Sequence, residues 1–180
     1  MISADKELKA GNIVNLSGEM FTLRDNSAKK LAEMLKNGEN PNFPLENSAV
    51  FFAAPTPGFE EGRASIGPTT SARMAAFIPK LIEKGVKYFI GKGALPEAAK
   101  NAVIEGKAFY FQALGGIGAY YGSKVSSMEL MLFEEFGPEA VYKVEVSDFP
   151  VIISIDSDSG IFFLLVRFGH GKMRISGNEV

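Results

Sequence analysis

Residues Ser65 to Gly93, SIGPTTSARMAAFIPKLIEKGVKYFIGKG, gather side chains suited to holding an anion. Thr69 or Thr70 stands at the N-cap position of a helix read from Ser71. There, free backbone N–H groups and the positive end of the helix dipole favour negative charge. Arg73 falls in the first turn of that helix and can grip a carboxylate with two parallel hydrogen bonds. On local features alone a plain Thr cap beside a solvated arginine is the better reading, since such caps are common. Lys92 stands between Gly91 and Gly93, so no neighbouring side chain keeps its ammonium from a ligand. Taken alone, that segment reads better as a turn with an exposed lysine. IGKG lacks the spacing and the following Ser/Thr of a P-loop.

Other segments carry weaker signals. Arg24, in TLRD, sits at a strand-to-helix corner beside Asp25, and the plain reading is a surface pair of little energetic value. Gly116, Gly118 and Gly122 in GGIGAYYG form a loose relative of the dinucleotide fingerprint, with Glu134 or Glu135 as an imaginable ribose acid. Two tyrosines interrupt that pattern, so a close backbone contact or loop is the better reading. His170 in FGHGK reads as a loop residue, and Glu60-Glu61 as solvated surface.

Composition narrows the chemistry. The chain has 180 residues and no cysteine, which excludes disulfides, a thiol nucleophile and a cysteine-ligated metal built from this chain alone. His170 is the single histidine, so a His-rich zinc site is excluded as well. The net charge of -2 gives no general support for nucleic-acid binding. No N-terminal run reads as a signal peptide, and the apolar run GIFFLLVRFG is far short of a membrane span, so a cytoplasmic protein is the default expectation.

The elements that must hold these residues follow from periodicity. GNIVNLSGEMFTL reads as strands around a turn at Ser17-Gly18. Asp25 then caps a helix carrying Ala28, Leu31, Ala32 and Leu35 on one face, with Gly38 as its stop. SAVFFAAP reads as a buried strand, and GFEEGRA as a turn into another. From Ser71 a helical face runs through Met74, Phe77, Ile78, Leu81 and Ile82 to Gly85, kinked or split at Pro79. VKYFI and KAFYFQAL are strands flanking a helix from Pro96 to Glu105, and Gly115, Gly116 and Gly118 form a break. SSMELMLFEEFGPEA fits helix or strand. AVYKVEVSDFPVIISID reads as two strands broken at Asp148-Phe149-Pro150. Strands alternating with helices give an α/β core, and the extra strands at both ends point to a second sheet layer.

Taken together and in order, SGEMFTLRD, GPTTSARM, IGKG, GGIGA, FGPEAVYKVEVSDFP and ID resemble the β subunit, or C-terminal domain, of class I fumarate hydratase. The related tartrate dehydratase β subunit shares the pattern. The resemblance runs from about Leu8 to about Asp156 and leaves 157–180 unmatched. It implies one domain over 1–180, a three-layer swivelling β/β/α domain. It implies a hydro-lyase that reversibly hydrates fumarate to (S)-malate, or dehydrates a related hydroxy diacid such as L(+)-tartrate. It also implies an α subunit as partner, in an α2β2 assembly, carrying a four-iron four-sulfur cluster on three cysteines with one iron left free for substrate. This chain would bind no cofactor, nucleic acid or membrane.

By position, Arg24 and Arg73 fall on carboxylate-binding arginines of the family. Thr69 falls on its proposed catalytic base, assisted by an aspartate of the α subunit, and Lys92 on the lysine after the short strand. With Lys92 counted beside Thr69 as catalytic, Gly67 and Thr70 complete the substrate-binding set. A dicarboxylate needs cations at both ends, and eliminating water needs a base at one carbon and a Lewis acid at the hydroxyl. The chain departs from the family in RDNSA, with Ala28 where a histidine often stands, and in the residues after Lys92. Two other classes compete with the enzyme subunit: a stand-alone anion- or nucleotide-binding module, and a swivel domain that no longer catalyses.

Overall fold

The structure is a computed structural model that describes residues 2–56, 65–162, 164–169 and 172–177. Three parallel strands form its centre: β3 (Ala49–Phe51), β6 (Tyr88–Gly91) and β7 (Phe109–Gln112). The other long strands are β2 (Ile13–Thr22) and β9 (Val141–Ile155). β2 lies parallel to β3 at one edge, β9 lies antiparallel to β7 at the other, and β2 and β9 pair antiparallel with each other. The pairings therefore close β2, β3, β6, β7 and β9 into a ring. β1 (Ser3–Ala4) extends β2, and β8 (Val125–Leu132) extends β9. β1, β2, β8 and β9 thus join the three parallel strands in one hydrogen-bonded sheet. A hairpin of β4 (Ala53–Pro55) and β5 (Ile66–Pro68) stands apart from the main ladder, as does the antiparallel pair β10 (Leu164–Gly169) and β11 (Lys172–Gly177).

Two expected chain breaks prove to be bulges. β2 runs unbroken past Ser17-Gly18, and β9 runs unbroken past Asp148-Phe149-Pro150. Gly18 adopts φ +120° and Asp148 φ +51°, and these irregularities face each other where the register shifts between Leu16 and Gly18. The Asp148 N–H donates to Ser17 Oγ at 3.1 Å across the gap. Turn-type residues here twist a long pair rather than end it, because both flanking halves gain partners on the same strand. SAVFFAAP divides at Phe52, where the chain changes partners. The Phe52 N–H still donates to Ile90 O of β6 at 2.8 Å, while Phe52 O accepts from Thr69 N–H at 2.7 Å. The ambiguous segment resolves into β8 and a 3₁₀ stretch, Glu134–Glu139.

Alternation along the parallel strands feeds two cores. Val50, Phe89 and Tyr110 face α1 (Asp25–Lys36), α2 (Ile78–Glu83) and α3 (Glu97–Glu105), where Leu31, Leu35, Ile78, Leu81, Ala99 and Val103 meet them. Ala49, Phe51, Ile90 and Phe111 face the other side, packing with Val14, Leu16, Met20, Val144, Phe149 and Ile153 of β2 and β9. The result is a mixed α/β fold with a sheet-dominated core. α1 ends before Gly38, which takes φ +80°. Its N-cap is Arg24 rather than Asp25, which is the first helical residue. The helix expected from Ser71 is two 3₁₀ turns, Ser71–Arg73 and Ala75–Phe77, followed by α2 with Pro79 in its first turn. Pro79 has no N–H to give the preceding turn, so the α-helix begins where proline is tolerated. GFEEGRA, Glu60-Glu61 and His170 fall on or among residues outside the described ones.

Candidate active site

The end of β5 and the end of β6 meet edge to edge. Lys92 N–H donates to Thr69 O at 3.2 Å, Ser71 N–H donates to Lys92 O at 2.9 Å, and Thr70 and Lys92 form an isolated parallel bridge. Segments read separately as GPTT and GKG are therefore one backbone unit. Gly91 permits the approach: a Cβ there would lie 1.9 Å from Ser71 Oγ. Behind the unit, the wholly buried Tyr110 of β7 donates its hydroxyl to Gly93 O at 2.5 Å and is hydrogen-bonded to Ser71 Oγ at 2.8 Å. Burial holds the Tyr110 phenol well above its usual pKa, so it stays a neutral hydrogen-bonding group. One side chain thus ties the residue two after Thr69 to the residue after Lys92.

Thr69 is buried, with 8% exposure, whereas Thr70 is exposed. Thr70 is the N-cap of the first 3₁₀ turn but makes no side-chain cap bond. The expected helix mouth is therefore a three-residue turn, and the helix-dipole contribution to anion binding falls away there. What remains is the cation set. Lys92 is half-buried and forms no ion pair among the described residues. Gly67 lies in β5 opposite Ala54.

A second corner forms where α1 begins. Arg24 N–H donates to Ser27 Oγ at 3.0 Å, and Ser27 Oγ–H donates to Arg24 O at 3.2 Å, so the buried serine locks the turn that carries the arginine. Asp25 Oδ2 lies 2.5 Å from Arg73 Nη2 and 3.6 Å from Arg24 Nε. Glu139 Oε1 lies 3.8 Å from Arg24 Nε, while its other oxygen accepts from Asn26 N–H at 3.1 Å. Thr22 brings the Glu139 segment here: its hydroxyl accepts from Tyr142 N–H at 3.0 Å. Arg24 Nε is nonetheless buried with no hydrogen-bond partner. A buried donor left without a hydrogen bond costs about 1–3 kcal/mol.

Sequence reasoning passed over Ser27, Glu139, Tyr110 and Gly115 as working parts. Ser27 had a readable signal, since a serine three residues after the N-cap can bond back to it. Glu139 lay within the GPEA segment, but its partner is 113 positions away along the chain in the Asn26 contact, beyond any local pattern. The glycine-rich segment is a packing contact. The Cβ of a residue at Gly118, the first residue of α4 (Gly118–Gly122), would lie 2.5 Å from Ser65 Oγ and 3.5 Å from Gly67 Cα. Among the described residues no group of three or more His, Cys, Asp or Glu side chains is arranged to hold a metal ion.

Comparison with known proteins gives the chain a family. The family described as Fumarase C-terminus matches residues 3–164. A putative L(+)-tartrate dehydratase subunit beta of Methanocaldococcus jannaschii is 35% identical over 159 residues, covering 84% of this chain and 82% of that protein. The L(+)-tartrate dehydratase subunit beta of Escherichia coli is 30% identical over 158 residues, covering 84% of this chain and 77% of that protein. The aerobic class I fumarate hydratase of Escherichia coli is 32% identical over 159 residues, and there the matched part is 86% of this chain but only 29% of the relative. This chain belongs to the Fumarase C-terminus family, whose relatives here are named as class I fumarate hydratases and tartrate dehydratase β subunits.

Proposed function

We propose that the chain is the β subunit of a two-subunit hydro-lyase that reversibly hydrates fumarate to (S)-malate. The observation that carries this reading is the buried Arg24 Nε, which has the Asp25 and Glu139 carboxylates nearby but no hydrogen-bond partner, in the same cluster as Arg73. A substrate carboxylate supplies the missing acceptor. Arg24 and Arg73 hold one end of the diacid, and Lys92 meets the other. Thr69 takes the proton from the substrate carbon in the dehydration direction and returns it in hydration. A lone threonine hydroxyl is too weak a base for this, so its own O–H proton must go to a carboxylate of the partner as it accepts the proton from carbon.

The thiolates that hold an iron–sulfur cluster are absent from this chain, so its residues do not fit such a group and a cluster belongs on the partner. There it would supply the Lewis acid for the departing hydroxyl. The three-layer swivelling arrangement and the α2β2 assembly belong to the same proposal. L(+)-tartrate is the second reading. It is favoured by the two relatives named as separate β subunits, of which this chain covers 82% and 77%.

The test is reconstitution. The chain alone is expected to bind no iron and turn over neither fumarate nor L(+)-tartrate. Mixed anaerobically with a cluster-loaded α partner, it is expected to hydrate fumarate faster than it dehydrates tartrate. Robust turnover by the isolated, iron-free chain would overturn the proposal, and faster tartrate turnover would select the second reading.

A further inference from the structure

Lys92 lies across the turn that follows β7. A Cβ built at Gly115 would fall 2.9 Å from Lys92 Cδ and 3.9 Å from its Nζ. The first distance is closer than Cβ atoms approach their neighbours, so an added methyl forces something to move. The turn cannot retreat. Ala113 N–H donates to Gly91 O at 2.7 Å, one residue before Lys92. Leu114 N–H donates to the Tyr121 hydroxyl at 2.9 Å, and that hydroxyl donates to Pro150 O of β9 at 3.0 Å. Tyr121 is fully buried and stacked on Phe149, with ring centroids 4.3 Å apart. The lysine stem is the movable partner. Nor does the backbone require glycine at this position. Gly116 takes φ +83°, but Gly115 lies outside the left-handed range. The missing side chain at Gly115 is explained by Lys92 and by nothing in the turn itself.

We propose that Gly115 is a positioning residue for Lys92: its bare Cα is the floor on which the lysine stem rests, and this sets where the ammonium meets the substrate. The catalytic part rests on the function proposed above. The first arm of the test uses the full chain alone. Brief acetic anhydride labelling, read by mass spectrometry for each lysine, is compared between the native chain and Gly115→Ala. Labelling of Lys92 is expected to rise several-fold as its stem is pushed off the turn, with Lys84 and Lys87 unchanged. Gly116→Ala is the control: it strains a positive-φ position with nothing within 4 Å of the added carbon, so it should lower Tm yet leave Lys92 labelling as it was.

The second arm uses the reconstituted enzyme. Gly115→Ala should lower kcat/KM by on the order of 10- to 100-fold, since a shift of about 1 Å in a group that positions the substrate can cost that much. In a Lys92→Ala background the same change should cost nothing. Unchanged Lys92 labelling in Gly115→Ala, or an equal loss of kcat/KM with and without Lys92, overturns the positioning role. Altered labelling with kcat/KM indifferent to both substitutions leaves the floor in place and overturns the part given to Lys92 in the proposed function. If Gly115→Ala does not fold, Gly115→Ser with the same labelling readout decides, and failure of both while Lys92→Ala/Gly115→Ala folds supports the contact.

Discussion

The two corners of the candidate site are built from different materials. Around Thr69 and Lys92 the backbone does the holding: two strand ends bond to each other, and a buried tyrosine ties them from behind. Around Arg24 and Arg73 side chains do it. Asp25 spans both arginines, and Glu139 reaches Arg24 from the 3₁₀ stretch before β9. Arg73 is 53% exposed in its side chain, whereas Thr69 and Ser71 are buried. The first corner is rigid because backbone hydrogen bonds join its two strand ends and a buried tyrosine fastens them from behind. The second is adjustable, because half-exposed ion pairs are worth little and exchange partners readily. Proton transfer needs fixed geometry at Thr69.

The sharpest way to break that contrast lies within the rigid corner. In the reconstituted enzyme Thr69→Ala should lower kcat by about 100- to 10,000-fold, the usual cost of losing a general base. Thr70→Ala should change stability by less than about 0.5 kcal/mol, because its side chain makes no cap bond and a simple surface change has that size. Steady-state kinetics and urea unfolding check both. A reversal of severity between the two would move the base by one residue.

Gly91→Ala comes next. The added carbon meets Ser71 Oγ at 1.9 Å and Phe52 Cδ2 at 3.1 Å, so overpacking should cost about 1–3 kcal/mol in urea unfolding. A neutral result would show that the corner yields more easily than its hydrogen bonds imply. Tyr110→Phe should cost about 1 kcal/mol by removing the bond that ties the two strand ends. It also carries a pH signature. The Tyr110 pKa is raised above its ordinary value of 10.0 by burial. Its neutral form is therefore a native-state preference, fully present below pH 10 and lost as pH rises from there, when only the unfolded chain ionises. The native protein should lose stability above about pH 10, and Tyr110→Phe should flatten that alkaline limb. The smallest effect belongs to the adjustable corner: Asp25→Asn should change unfolding free energy by at most about 1 kcal/mol, less in high salt.

Local rules made much of this legible. α1, α3 and the three parallel strands follow from 3.6-residue and uniform apolar patterns, and their cores contain the residues those patterns select. Failures came where tertiary pairing overrode turn chemistry. Gly18 and Asp148 read as chain breaks but serve as facing bulges in β2 and β9, because each strand meets the other on both sides. The stretch from Ser71 read as a helix with a charged mouth because Met74, Ile78 and Leu81 do share a buried face. Two 3₁₀ turns leading into α2 supply that face, and no α-helical dipole opens at Ser71. Arg24, Thr69, Arg73 and Lys92 were legible as types in a recurring order. Their supports, Glu139 and Tyr110, are joined to them only by long-range contacts that no spacing rule encodes.

The central claim is that the two corners grip one small diacid. A double-mutant cycle on kcat/KM in the reconstituted enzyme, combining Arg73→Lys with Lys92→Ala, tests it most directly. Each single change should cost on the order of 1.5–3 kcal/mol, the arginine change because an ammonium cannot reproduce the two-pronged grip. The double mutant should lose less than the sum, because a substrate already loosened at one end gains less from the other. Losses that add within error would mean that Arg73 and Lys92 do not share a ligand, and would contradict the account.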